Sequence, residues 1–301
     1  MKPFDKMQQH GLKKTVRKGV SLMWRQIRHR YYQWRFRDAP HFANPTPDEL
    51  ITIERSLRDL GICIYDYVPS TDRFHQFQLG NWFPSHYHGG CKSGVWEEKI
   101  LEHWIAGEIL GLAEFAPEDV YVDVAAGNSP WAKTLRERSG LNSFAIDLLP
   151  VDIAYRDLPY YRTENATKSS FGDCAVRGVS LQCAFEMFMG DDDTLLIDEI
   201  ARILKPGGKA VILPLYMHTH YCAYAAPEYF GKGYAPPGAK EYVRMDCFGV
   251  PSSRKYDALT LQCRVIVPIQ NAGLKYRVLA LRNKSLLGKN IYCHFILEIE
   301  K

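Results

Sequence analysis

Residues 119–132 constrain this chain more than any other stretch: Asp-Val-Tyr-Val-Asp-Val-Ala-Ala-Gly-Asn-Ser-Pro-Trp-Ala. Val120, Val122 and Val124 alternate as a buried strand does. Ala125, Ala126 and Gly127 follow as a turn of small residues, and Ser129-Pro130 supplies an N-cap and a first helical residue. A strand that turns tightly into a helix N-terminus brings backbone N–H groups close to a nucleotide-like ligand. The helix is predicted to reach about Ser139, where Gly140 stops it, and Ser143–Asp147 reads as a second strand ending in an acid. Asp147 stands 20 residues past Gly127, the spacing at which a carboxylate meets both hydroxyls of a ribose.

More elements suit the same sheet. Residues 179–188 read as a buried strand running into a loop that carries Glu186. Residues 194–204 have helical apolar spacing at Leu196, Ile200, Ile203 and Leu204. Lys205-Pro-Gly-Gly208 ends that helix, and a strand follows to Leu213. Residues 257–270 are predicted helical, although Val265–Val267 and Pro268 also suit a strand; 276–281 and 291–299 read as strands. Upstream, Thr46, Pro47 and Glu49 make a capping box for a helix that Gly61 stops. Residues 65–88 are aromatic and read as an irregular, lid-like loop before a helix over 95–110.

In this order the motifs resemble the class I S-adenosylmethionine-dependent methyltransferase family. The resemblance covers residues 95–301 and is most specific at Asp123-Val-Ala-Ala-Gly127 and at Glu199-Ile-Ala-Arg-Ile-Leu-Lys-Pro-Gly-Gly208. It implies an α/β, Rossmann-like fold with a mostly parallel seven-stranded sheet, an antiparallel C-terminal strand and an N-terminal extension. It implies S-adenosylmethionine as cofactor, with Asp123, Ala125, Ala126 and Gly127 at its methionine part and Asp147 at its ribose. Asn165 and Ala166 would then flank the adenine. The chain departs from the family pattern at Ala125, Ser129, Asn165 and Met187, and these departures bear most on the adenine segment.

Methyl transfer to an alcohol needs a group that accepts a proton. His218 and His220, just past the strand ending at Leu213, are the first candidates, with Glu186 next. His86, His88, Trp82 and Tyr216 are candidate substrate contacts, because aromatic faces stack on sugar rings. The expected reaction is O-methylation of a saccharide or lipid-linked glycan in polysaccharide biosynthesis. His86, His88 and Cys91 lack a fourth ligand, and no metal is expected.

Three domains are expected: a tail over 1–38, a helix and lid over 39–94, and the cofactor domain over 95–301. Residues 1–37 hold eleven Lys or Arg and one acid, so the basic character belongs to the tail and the rest is net acidic. Leu12, Val16, Val20, Met23, Trp24, Ile27, Tyr31 and Trp34 form one helical stripe. Over residues 10–37 this pattern suits an anionic membrane surface or packing against protein. A nucleic-acid methyltransferase gripping phosphates with the tail is one alternative, and a non-catalytic module with the same fold is another. The acidic body speaks against nucleic acid. The eight scattered cysteines form no CxxC pair, and no apolar run approaches a membrane span, which suits a cytoplasmic protein, peripheral at most. A homo-oligomer is left open.

Overall fold

The computed structural model describes residues 27–301, which fall into two compact units. One comprises 27–44 of the N-terminal segment with Cys222–Ser253, and the other Pro45–Tyr221 with Arg254–Lys301. Residues 27–35 are helical (α1), with Ile27, Tyr31 and Trp34 exposed. The stripe positions Leu12 to Trp24 lie outside the described residues.

The larger unit begins with helix α2 (Pro47–Asp59), where the expected capping box is formed: Glu49 N–H donates to Thr46 Oγ1 at 3.3 Å, and Thr46 N–H to the Glu49 carboxylate at 2.8 Å. Strand β1 (Ile64–Tyr67) and helix α3 (Thr71–Leu79) follow, so the aromatic segment is not the irregular loop expected. The reason is long-range, because β1 pairs in parallel with β10 (Lys275–Leu281), far along the chain. Next come α4 (Trp96–Leu110), β2 (Val120–Val124), α5 (Trp131–Ser139), β3 (Asn142–Asp147), β4 (Tyr161–Thr163) and β5 (Val176–Gln182). Helix α6 (Asp192–Ile203) then leads into β6 (Leu204–Leu213).

With β11 (Phe295–Glu300) the sheet has eight strands, in the order β1-β10-β11-β6-β5-β2-β3-β4. Seven match the expected arrangement and β1 extends one edge. Pairing is parallel except where β11 runs antiparallel between β10 and β6. Alternation along β2 sorts its side chains to opposite faces. Val122 and Val124 pack with Leu57, Ile197, Ile200 and Leu261, while Tyr121 packs with Phe74, Leu101, Ile105 and Trp131.

Three local expectations shift. Strand β5 starts three residues earlier than expected and ends at Gln182, and the loop that carries Glu186 contains a 3-10 turn (Phe185–Met187). Lys205–Gly208 is taken up at the start of β6, where Gly208 is required because a Cβ would come 2.8 Å from the Lys205 carbonyl. The run from Ala258 to Asn271 is helical throughout (α7, Ala258–Leu261, and α8, Val267–Asn271, joined by a π turn over Gln262–Ile266).

In the smaller unit, β7 (Cys222–Ala225) pairs in parallel with β8 (Lys240–Val243), and Phe42 stacks 4.7 Å from Tyr224.

Candidate functional site

The C-terminal ends of β2 and β5 open into a cavity of about 650 Å³, where ligands of open α/β sheets bind. The turn Ala125–Pro130 forms one wall and Gln182-Cys183 another, while Lys99, Glu102 and His103 of α4 and Tyr87 and His88 before it close the rest. A second cavity of about 370 Å³, lined by Asp147, Leu149 and Val151, shares Ala126, Gly127 and Asn128 with the first.

The turn is tight enough that Ala125 and Gly127 both take φ of +53°. Glycine adopts that conformation freely, whereas Ala125 is strained there, a cost that structures keep where backbone geometry serves a ligand. Asp147 secures the turn: its carboxylate accepts from Gly127 N–H and from Leu149 N–H, each at 2.8 Å. Ser129 Oγ accepts from Trp131 N–H at 3.2 Å, which places the cap one residue later than Ser129-Pro130 implied.

Asp123 is the most unusual group in the cavity. It is 1% exposed, and neither carboxylate oxygen has a hydrogen-bond partner. Burial pushes its pKa up to about 8; the nearby Ser129 hydroxyl opposes this in part and the Asp147 charge adds to it. Buried carboxylates without partners are rare because burial costs several kcal/mol, on the order expected for an unpaired charge. A cation in the cavity would supply what Asp123 lacks.

Helix α4 brings the other charges. Lys99 Nζ donates to both Glu102 oxygens at 3.0 and 3.2 Å, and the Cys183 thiol donates to Glu102 at 3.0 Å. Burial works against the Lys99 charge, but Glu102 outweighs it and holds the ammonium well above its ordinary pKa. Cys183, at φ +49°, is the third strained residue of the lining beside Ala125 and His88. His103 Nε2 lies 2.9 Å from Tyr87 Oη, and burial, with the Lys99 charge, keeps the imidazole neutral far below its usual range.

Of the residues expected from sequence, Asp123, Ala125, Ala126, Gly127, His86 and His88 line the larger cavity, and Asp147 lines the smaller. Others fall elsewhere. His218 and His220 do not line either cavity; their charges act on Glu49 at the start of α2. Glu186 is buried beside the cavity lining rather than in it, and burial raises its pKa. Trp82 lines a separate groove with Phe77, Trp104 and Trp131, and Tyr216 reaches the site only through Cys183, at 3.1 Å. Asn165 accepts from Thr167 N–H and Oγ1, closing its own turn, and neither it nor Ala166 lines a cavity. Cys91 is exposed and lines a different pocket from His86 and His88.

Lys99, Glu102, His103, Tyr87 and Cys183 are site residues that the motifs do not single out. One signal points to them: α4 is apolar on most sides, yet carries Glu98, Lys99, Glu102 and His103, and charges in an all-round buried helix need a reason.

Fold and site together define a Rossmann-like α/β domain with a methyltransferase-type sheet, extended at one edge by β1. Residues 122–212, from β2 to the end of β6, match the family described as methyltransferase domain. No curated protein matches the chain. Among solved structures, a Bacillus halodurans C-125 protein assigned as a methyltransferase is 20% identical, with TM-score 0.30, over 36% of this chain and 49% of that one. A Galdieria sulphuraria protein assigned as a sarcosine dimethylglycine methyltransferase is 20% identical, with TM-score 0.32, over 38% and 45%. This chain thus spans about half the length of either. Geranyl diphosphate C-methyltransferase from Streptomyces coelicolor A3(2) is 16% identical, with TM-score 0.41, over 85% and 98%.

Proposed function

We propose that the protein transfers the methyl group of S-adenosylmethionine to a hydroxyl of a saccharide or glycoconjugate. The observation that carries the methyl-donor reading is the Asp123 carboxylate, buried without partners in the cavity that the Gly127 turn lines. The donor, when bound, supplies an electrophilic methyl group on a cationic sulfur, and its positive charges suit that carboxylate.

Asp147 spends one lone pair of each oxygen on the turn and keeps others for ribose hydroxyls. The strained Ala125 keeps the turn backbone close to the ligand. For the acceptor, the Tyr87–His103 pair lies in the cavity, and the neutral His103 ring orients the Tyr87 hydroxyl as a hydrogen-bond partner for the acceptor hydroxyl. His86 and His88 at the rim, with Tyr87 stacked on Phe83 at 4.8 Å, support a ring-shaped polar acceptor.

Calorimetric titration with S-adenosylhomocysteine tests the donor site. Wild type is expected to bind, and Asp147→Ala to bind roughly tenfold or more weakly, because it loses both the ribose acceptor and the anchor of the turn. Absence of binding to folded wild type would leave the non-catalytic module as the better reading.

The exposed Ile27, Tyr31 and Trp34 on α1 support docking of the basic tail on an anionic membrane. Sedimentation with phosphatidylglycerol vesicles but not with neutral phosphatidylcholine vesicles is the expected result. Equal recovery with both would refute it.

A further inference from the structure

The geometry points to Lys99 as the residue that holds the carboxylate of the cofactor's amino-acid tail, opposite Asp123 at its ammonium. This rests on the donor reading above and adds a binding residue from outside the 122–212 segment. The amino-acid end of the cofactor is a zwitterion, and a buried site for it needs a fixed charge of each sign. Asp123 supplies the negative one and has no partner of its own. Lys99 is the sole Lys or Arg among the described residues lining the cavity.

Lys99 is also prepared for such a role. Its side chain is 13% exposed, and its ammonium is bound on one side to Glu102, which is itself fixed by the Cys183 thiol. An ammonium has three donors; Glu102 is the one carboxylate hydrogen-bonded to it among the described residues, and its other neighbours, the Cys183 sulfur and the Tyr292 ring at 5.7 Å, are weak partners that a carboxylate displaces. The remaining donor capacity belongs to a group that is already desolvated and positioned, so a carboxylate arriving there forms a charge-assisted bond at little cost in side-chain entropy. Glu102 thus acts as a positioning residue, setting the Lys99 rotamer and keeping it charged.

The test compares S-adenosylhomocysteine with S-adenosyl-3-thiopropylamine, the same compound without its carboxylate, by calorimetry. Wild type is expected to favour S-adenosylhomocysteine by about tenfold or more, as a buried charge-assisted bond implies. Lys99→Met is expected to bind the two compounds about equally. Because that variant strands the Glu102 carboxylate, Lys99→Met/Glu102→Gln, which removes the pair as a unit, is measured beside it. Glu102→Gln alone, which keeps a hydrogen-bond partner but not the charge that holds Lys99 protonated, is expected to reduce the preference without abolishing it. Equal binding by wild type, or a preference undiminished in the double variant, overturns the role of Lys99 and leaves the donor reading standing. Binding of neither compound overturns both.

Discussion

Replacing Asp123 by Asn is expected to stabilise the ligand-free protein while weakening S-adenosylhomocysteine binding by roughly tenfold or more. Both effects come from one buried group without partners. In the unfolded chain the carboxyl ionises near pH 4, and in the folded protein only near about 8. Between those values the folded state binds the extra proton, so stability is full below pH 4 and falls as pH rises, levelling off above 8. At pH 7 the accumulated cost is about 4 kcal/mol, at about 1.4 kcal/mol for each pH unit above 4. Asn carries no charge to bury, but its own unpaired amide returns part of the gain, leaving about 1–3 kcal/mol. Urea unfolding at pH 5 and pH 8 reads this directly. Wild type should lose stability between the two and Asp123→Asn much less. Equal pH dependence in both proteins would show that Asp123 is not the group responsible. The same linkage predicts that ligand binding below pH 8 releases a proton, so affinity should rise with pH up to that point and then flatten. Besides burial, the groups that bear on this titration are the Ser129 hydroxyl and the Asp147 charge.

The largest loss of stability is expected at Asp193, on the opposite face of the sheet from α4. Its carboxylate, wholly buried, pairs with Arg254 (2% exposed) and with Arg264 at 2.6 Å, and accepts from the Tyr256 hydroxyl at 2.6 Å. Burial opposes the charge, but the two guanidiniums win and hold its pKa below the ordinary aspartate value. Asp193→Asn leaves the buried Arg254 uncompensated, and breaking a pair of this kind costs about 3–5 kcal/mol. Asp173→Asn makes the contrast. Asp173 pairs with Arg202 at 2.6 Å but is 78% exposed, and a pair in water is worth about 1 kcal/mol at most. Denaturant midpoints for the two variants decide the matter: similar small shifts would mean that the Asp193 cluster is not a buried ion pair in solution. The depressed Asp193 carboxyl contributes stability above its unfolded value near 4, and that contribution is lost as pH falls through the lower folded value.

Much of the cofactor side is legible in the amino-acid sequence. Val120–Val124, the small-residue turn and the acid at 147 carry their meaning in neighbouring residues, because strand alternation, turn chemistry and helix caps act within a few positions. The spacing from Gly127 to Asp147 is a βαβ length, also local, and in the folded chain those two residues are hydrogen-bonded. Helix α6 and the capping box of α2 are readable for the same reason.

The groups around the rest of the cavity were brought together only by packing. His218 and His220 follow β6 directly, yet the chain carries them toward Glu49, and neither lines the cavity that Asp123 lines. Lys99 and Glu102 lie outside the two motifs that carry the resemblance, and Glu102 meets Cys183 across 81 residues of sequence. Strand β1 became part of the sheet because β10, more than 200 residues later, offered an edge to pair with. Local periodicity sets which face of an element is apolar, but which element that face meets depends on the whole set of helices and strands. The sequence by itself therefore determined the fold class and the small-residue turn after β2. The tertiary structure alone decided which charges share the cavity with that turn, since contacts between distant residues have no local signature.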